Sequence, residues 1–342
     1  MKPEFRNELG TMLPDALVFP HFPEREAAWL LHRQLDGPAR IAELRRGPTA
    51  GLLNRPGVRD VLSACGNGYV APHHLLPLAN PLFAFGRERE LMIDRASEAA
   101  FDVAAAADWQ SYSVSFTGWA DRARRAAWRE LQLSRPGGNL VLQLNFPESY
   151  RAKFEELFGT KAREEIEYYG HPVRCDGPIT MAWARLDLDP WGEDVLIEEL
   201  QTDWLRFLQD NRSEMLSRCS PYLSAARRKF LDQSHEVFHK GWARALMLAV
   251  LAFADRELGA SRVWLHRPET GAKLKNIRGC LPPRSLYTDL PRRFGFRETD
   301  RAPEFLYRAR SQVLARLRRS GGALFWVMDL ERSEEPIPRA LS

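Results

Sequence analysis

Residues 240–259, KGWARALMLAVLAFADRELG, hold an unbroken apolar run from Ala245 to Ala254 on good helix formers, with Gly259 as a stop. This is the strongest helix in the chain, and Leu248 and Leu251 should lie on its buried turns. The apolar run is far too short to cross a bilayer. SRVWLH, 261–266, follows at once and reads as a short buried strand. A strand placed directly after such a helix points to a crossover within one shared sheet.

The segments before this unit sharpen the expectation. ITMAWARLDL, 179–188, and VLIEELQTDW, 195–204, flank the turn-rich DPWGED and predict an antiparallel hairpin. Residues 205–235 are a polar, partly helical insertion between hairpin and helix. After the helix, FGFRETD and EFLYRAR read as a closing pair of strands. SQVLARLRRSGG then reads as a basic helix and ALFWVMDLE as a last strand.

The rest divides into two stretches. Residues 1–105 read as irregular and partly helical, with a helix in FPEREAAWLLHRQL that sets Trp29, Leu30 and Leu31 on one side. CGNGYVAPHHLLP reads as loop, with His73 and His74 at the surface or capping. Residues 106–175 read as a small α/β unit. It has strands WQSYSVSF and NLVLQLNF, a basic helix WADRARRAAWRELQL, and the helix PESYRAKFEELFG with Pro147 at its start and Gly159 as its stop. The fold class expected is therefore α+β or α/β, a mixed sheet with its main domain in residues 176–342.

The order from Ile179 to Tyr307 resembles the GNAT superfamily of acyl-CoA-dependent N-acyltransferases. LAFADRELGASRVWL is similar to that family's third helix and fifth strand, and LPRRFGFRET to its terminal motif. A second resemblance is to a phage and prophage domain with an Ile-Glu-Glu-Ile-Gln-Ser-Asp-Trp signature followed by a Lys-x-Trp helix. Here the signature spans Ile197 to Trp204, with Lys240 and Trp242 downstream. The GNAT resemblance implies acetyl-CoA or another acyl-CoA as donor and a small-molecule or peptide amine as acceptor. It places the pyrophosphate on backbone N–H groups at a helix start. That position reads HKGWARAL, with Gly241 as its one glycine and Lys240 and Arg244 as cations. The family's general-acid tyrosine falls at Pro291, and Tyr287, one helical turn earlier, is the candidate replacement.

The hairpin's second strand carries the chemistry. Alternation puts Leu196, Glu198, Leu200, Thr202 and Trp204 on one face, and Val195, Ile197, Glu199, Gln201 and Asp203 on the other. Glu199 and Asp203 would then stand about 13 Å apart unless a bulge shortens the strand. Glu198, between two leucines, is a candidate general base. The candidate catalytic residues are Glu198, Glu199, Asp203 and Tyr287. Gln201 and Trp204 would bind substrate, and Lys240, Gly241 and Arg244 the donor. The bland alternative is that Gln201, Asp203 and Trp204 cap the strand end.

Two other readings stand beside this one. HEVFH, His235 to His239, matches a zinc-hydrolase pattern, but a helix puts Glu257 about 27 Å from His239 and leaves only Asp203 or His171, brought in by tertiary folding, as a third ligand. No metal is therefore expected. The alternative to an enzyme is a noncatalytic phage-derived binding module. Arg122, Arg124, Arg125 and Arg129, with Arg308, Arg310, Arg316, Arg318 and Arg319, make two basic helices and leave nucleic acid open as a partner. A net charge of only +4 gives no general pull toward it. Four scattered cysteines without a CxxC pair, and no apolar leader in MKPEFRNELG, fit a cytoplasmic protein with no membrane partner. Arginine outnumbers lysine, as GC-rich bacterial coding produces.

Overall fold

The computed structural model describes residues 13, 17–47, 50–79, 110–119, 132–166, 171–173, 178–189, 193–217, 220–279 and 281–330. The protein is mixed α/β, and a single eight-stranded sheet organises it. In chain order the strands are β1 (Leu17–His21), β2 (Ala39–Arg40), β3 (Tyr69–Val70), β4 (Gln110–Trp119), β5 (Asn139–Asn145), β6 (Thr180–Leu188), β7 (Asp194–Gln201), β8 (Arg262–His266), β9 (Arg297–Thr299) and β10 (Phe325–Asp329). The large sheet runs β1-β4-β5-β6-β7-β8-β10-β9, and β2 pairs with β3 separately. Every pairing in the large sheet is antiparallel except β7 with β8. All three sequence stretches contribute strands to it, so the sheet crosses both boundaries drawn from the sequence.

The parallel pair needs a crossover, and the helix Trp242–Arg256 supplies it. Every residue from Ala245 to Ala254 is fully buried. One side lies on the sheet, in a core with Ala182, Ala184, Leu186, Ile197 and Leu200. Trp29 and Leu30 of the helix Arg25–Gln34 join the same core, and Arg33 bonds Asp255 at 2.7 Å. The amino-terminal helix is thus buried on more than one side. Its Leu31 packs instead with Val58, Leu62, Leu75 and Leu78 in a second core. On the opposite face of the sheet the last helix, Glu304–Arg319, covers Leu196, Trp264, Phe325 and Val327.

Several sequence expectations change. EFLYRAR is no strand: it opens the helix Glu304–Arg319, with Phe305 and Leu306 buried. An arginine- and leucine-rich segment propagates as helix once an apolar face has a sheet to cover. The stretch expected to be irregular holds the helices Pro56–Ala64 and Pro72–Ala79. The second takes in HHLLP, and His74 Nδ1 accepts from the Ala71 N–H at 3.0 Å. Most of the basic helix expected at 119–133 lies outside the described residues. No single helix among the described residues is long and apolar enough to cross a membrane.

Candidate active site at the parting of two parallel strands

β7 and β8 pair only from Asp194–Arg262 to Ile197–Leu265, while β7 runs on to Gln201. Beyond Ile197 the backbone of β7 has lost its neighbour. Buried carbonyl and amide groups need partners, and two side chains from the segment after β8 provide them. Lys275 Nζ donates to the Glu198 carbonyl. The Leu200 N–H donates to the Tyr287 hydroxyl at 3.2 Å.

A bulge sits at the same place. Opposite β6, Arg185 pairs with Glu199 and Leu186 with Ile197, so Glu198 is the extra residue. It breaks the two-face alternation expected from the sequence. Leu200 joins Ile197 in the core under the crossover helix. Glu198 and Glu199 both meet groups of the opposite face.

Glu198 is wholly buried, and its carboxylate is fully engaged. It accepts from the Ser134 N–H at 3.1 Å and the Ser134 hydroxyl at 2.9 Å, and Lys275 Nζ lies 3.3 Å away. Ser134 Oγ also meets His266 Nε2 at 2.7 Å. With its proton given to Glu198, Ser134 must accept from His266. Burial, then the charges of Lys275 and Arg185, hold the imidazole well below its ordinary pKa. Serine, histidine and glutamate here do not form a nucleophilic triad. The carboxylate is on the serine rather than on the far nitrogen of the histidine, and Ser134 is fully buried.

Glu199 differs. It is 25% exposed and pairs with Arg185 Nη2 at 2.6 Å. Both line a cavity of about 160 Å³ with Gln132, His266, Arg267, Lys275, Ile277 and Tyr287. Pro268, Gly271, Ala272 and Pro282 complete the wall. Gly271 permits the close approach of its helix, since a Cβ there would stand 3.1 Å from His266 Cβ. Burial, then the Glu199 charge, raises the Tyr287 phenol well above its ordinary pKa. Burial also lowers the Lys275 ammonium, against the pull of Glu198.

The structure therefore brings Glu198, Glu199 and Tyr287 together and sets the other candidates elsewhere. Asp203 accepts from Trp183 Nε1 at 2.9 Å, Gln201 Nε2 at 2.6 Å and Arg206 Nη2 at 2.7 Å, and contacts His171 Nδ1 at 2.9 Å. Burial pushes its carboxyl up, but the bonds from His171 and Trp183 outweigh that and hold it below the ordinary value. Trp204 is buried in the main core, with Nε1 on the Tyr150 hydroxyl at 3.2 Å. Gln201, Asp203 and Trp204 are thus occupied within the protein.

The expected donor cradle is also occupied. Lys240 pairs with Glu236 at 2.7 Å, and Arg244 with Glu24 at 2.7 Å. The segment Ser234–His239 is a π-helix that runs into the crossover helix. The N–H groups of Lys240 and Gly241 donate back to the carbonyls of His235 and Phe238. The residues present do not fit a pyrophosphate cradle at this helix start. His235 and His239 stack at 4.9 Å between ring centres. Among the described residues, no group of three or more metal-ligating side chains includes them.

Sequence reasoning missed Arg185, His266 and Lys275. Arg185 is the one charged residue in the stretch ITMAWARL, and that was its available signal. No protein-family model matches the chain, and no curated protein or solved structure matches it.

Proposed function

We propose that the cavity where β7 and β8 part transfers an acyl or related group to an amine. One observation carries this reading: a partly exposed carboxylate, Glu199, and a buried phenol, Tyr287, face one small cavity at the end of a parallel strand pair. Glu199 takes the proton of the attacking amine. Tyr287 stays protonated at neutral pH and accepts from Leu200 N–H, so its own proton is available to the leaving group. Glu198 holds Lys275 and Ser134 in place and takes no proton from substrate.

The donor is activated by its leaving group and is not gripped by a pyrophosphate at Lys240, Gly241 and Arg244. Release of free thiol from acetyl-CoA and from S-acetylpantetheine, with a panel of amines, tests the reading. The two donors are expected to react comparably. Glu199→Gln and Tyr287→Phe should each slow turnover by about tenfold or more, measured at a temperature where circular dichroism shows the variant folded. No thiol release and no thermal shift with any donor would sink it. That outcome would favour the noncatalytic module, which the internal bonding of Gln201, Asp203 and Trp204 supports.

A further inference from the structure

Each cation lining the cavity has a carboxylate beside it. Arg185 pairs with Glu199, Lys275 with Glu198 at 3.3 Å, and Arg267 with Glu298 at 2.5 Å. A ligand with one net charge would leave that charge buried without a counterion, which is costly. A ligand carrying both signs, or neither, keeps the balance.

Hydrogen-bonding capacity decides between them. The Arg185 guanidinium is buried and spends Nη2 on Glu199 and, at 3.3 Å, the Gln132 carbonyl. Its Nε and Nη1 have no acceptor among the described residues. One face of the guanidinium lies on the Trp119 ring, 4.6 Å from its centre, and Nη1, which shares the end-on fork with Nη2, is the donor left for a carboxylate. Glu199 meets Arg185 through one carboxylate oxygen and is partly open, which suits an ammonium.

The spacing of the two sites narrows the class. Arg185 and Glu199 touch at 2.6 Å, so their complementary charges must also be neighbours on the ligand. An α-amino acid has its ammonium and carboxylate on one carbon. Pro268, Ala272, Ile277 and Pro282 give the wall an apolar part that an apolar side chain can meet. A cavity of about 160 Å³ suits a small molecule rather than a folded partner.

The geometry points to a free α-amino acid with an apolar side chain as the ligand of this cavity, its carboxylate on Arg185 and its ammonium at Glu199. Only its role as the amine acceptor rests on the transfer reading above.

Calorimetry on the full chain tests the assignment, with apolar amino acids, their amides, their N-acetyl forms and 4-aminobutyrate as probes. At least one free amino acid should bind saturably. Its amide, its N-acetyl form and 4-aminobutyrate should bind about tenfold weaker or worse. Arg185→Lys should erase the preference for acid over amide. Glu199→Gln, which keeps the shape of the side chain, should erase the preference for free amine over N-acetyl and covers the case in which the arginine variant does not fold. Equal binding of amide and acid, or no binding of any free amino acid at millimolar concentration, overturns the assignment. Amino-acid binding without turnover of any donor would instead refute the transfer reading alone.

Discussion

Lys275 and Glu198 form an ion pair at 3.3 Å inside the protein, and the lysine also bonds the glutamate's own carbonyl. One side chain thus neutralises a buried charge and completes the backbone of β7 where β8 has turned away. The neighbouring pair, Arg185 with Glu199 at 2.6 Å, borders the cavity and leaves its carboxylate partly open. Adjacent glutamates in one strand therefore have separable roles.

Glu198→Gln is expected to destabilise the protein by about 2–4 kcal/mol, because it leaves Lys275 buried without its counter-charge. Glu199→Gln also leaves a buried cation, Arg185, without its counter-charge, but the carboxylate lost is 25% exposed and Arg185 keeps the Gln132 carbonyl, so the loss should be smaller, about 1–2 kcal/mol. Urea denaturation of both variants checks the contrast; equal losses would show that the two carboxylates are equivalent.

His21 should set part of the acid sensitivity. Burial, then the charges of Arg25 and Arg244, push its pKa down to about 3, and its Nε2 has no partner among the described residues. The unfolded chain binds a proton there between about pH 6.5 and 3 and the folded chain does not. Stability should therefore fall as pH drops through that window, by about 1.4 kcal/mol per unit from this group. His21→Gln should flatten the dependence. An unchanged slope in urea midpoints from pH 7 to 4 would show that His21 does not carry it.

Asp203→Asn should lower stability by about 1–3 kcal/mol and leave ligand responses intact. Its bonds to Trp183, Gln201 and Arg206 tie the end of β7 to β6 and to the following helix. Its carboxyl is held below the ordinary value, so this contribution is present above the unfolded pKa and is lost as pH falls through the folded one. Loss of ligand binding at unchanged melting temperature would return Asp203 to the site.

Leu251→Glu should abolish soluble folding, because Leu251 is fully buried and the new carboxylate would have no partner. Soluble expression with a native circular dichroism spectrum would contradict the burial of this helix.

Protein purified without added metal should contain well under one zinc per chain, since His235 and His239 meet no third ligating side chain among the described residues. Stoichiometric zinc that disappears in the His235→Ala, His239→Ala double variant would reverse this.

The sequence by itself determined the elements whose signal is local. The run Ala245–Ala254, the existence of β6 and β7 as a hairpin, and the glycine stops at Gly159 and Gly259 depend on near neighbours along the chain. Tertiary structure decided the rest. EFLYRAR took its conformation from the sheet it covers, because a short amphipathic segment has no fixed period until a surface selects one. The bulge at Glu198 depends on how β6 meets β7, and it moved a glutamate across the sheet without changing a letter of the strand. Lys275 and Tyr287 lie 77 and 87 residues from the backbone groups they complete. Nothing near either residue in sequence records that distant need. Only the parting of β7 from β8 creates the unpaired backbone, and with it the cavity that these side chains enclose.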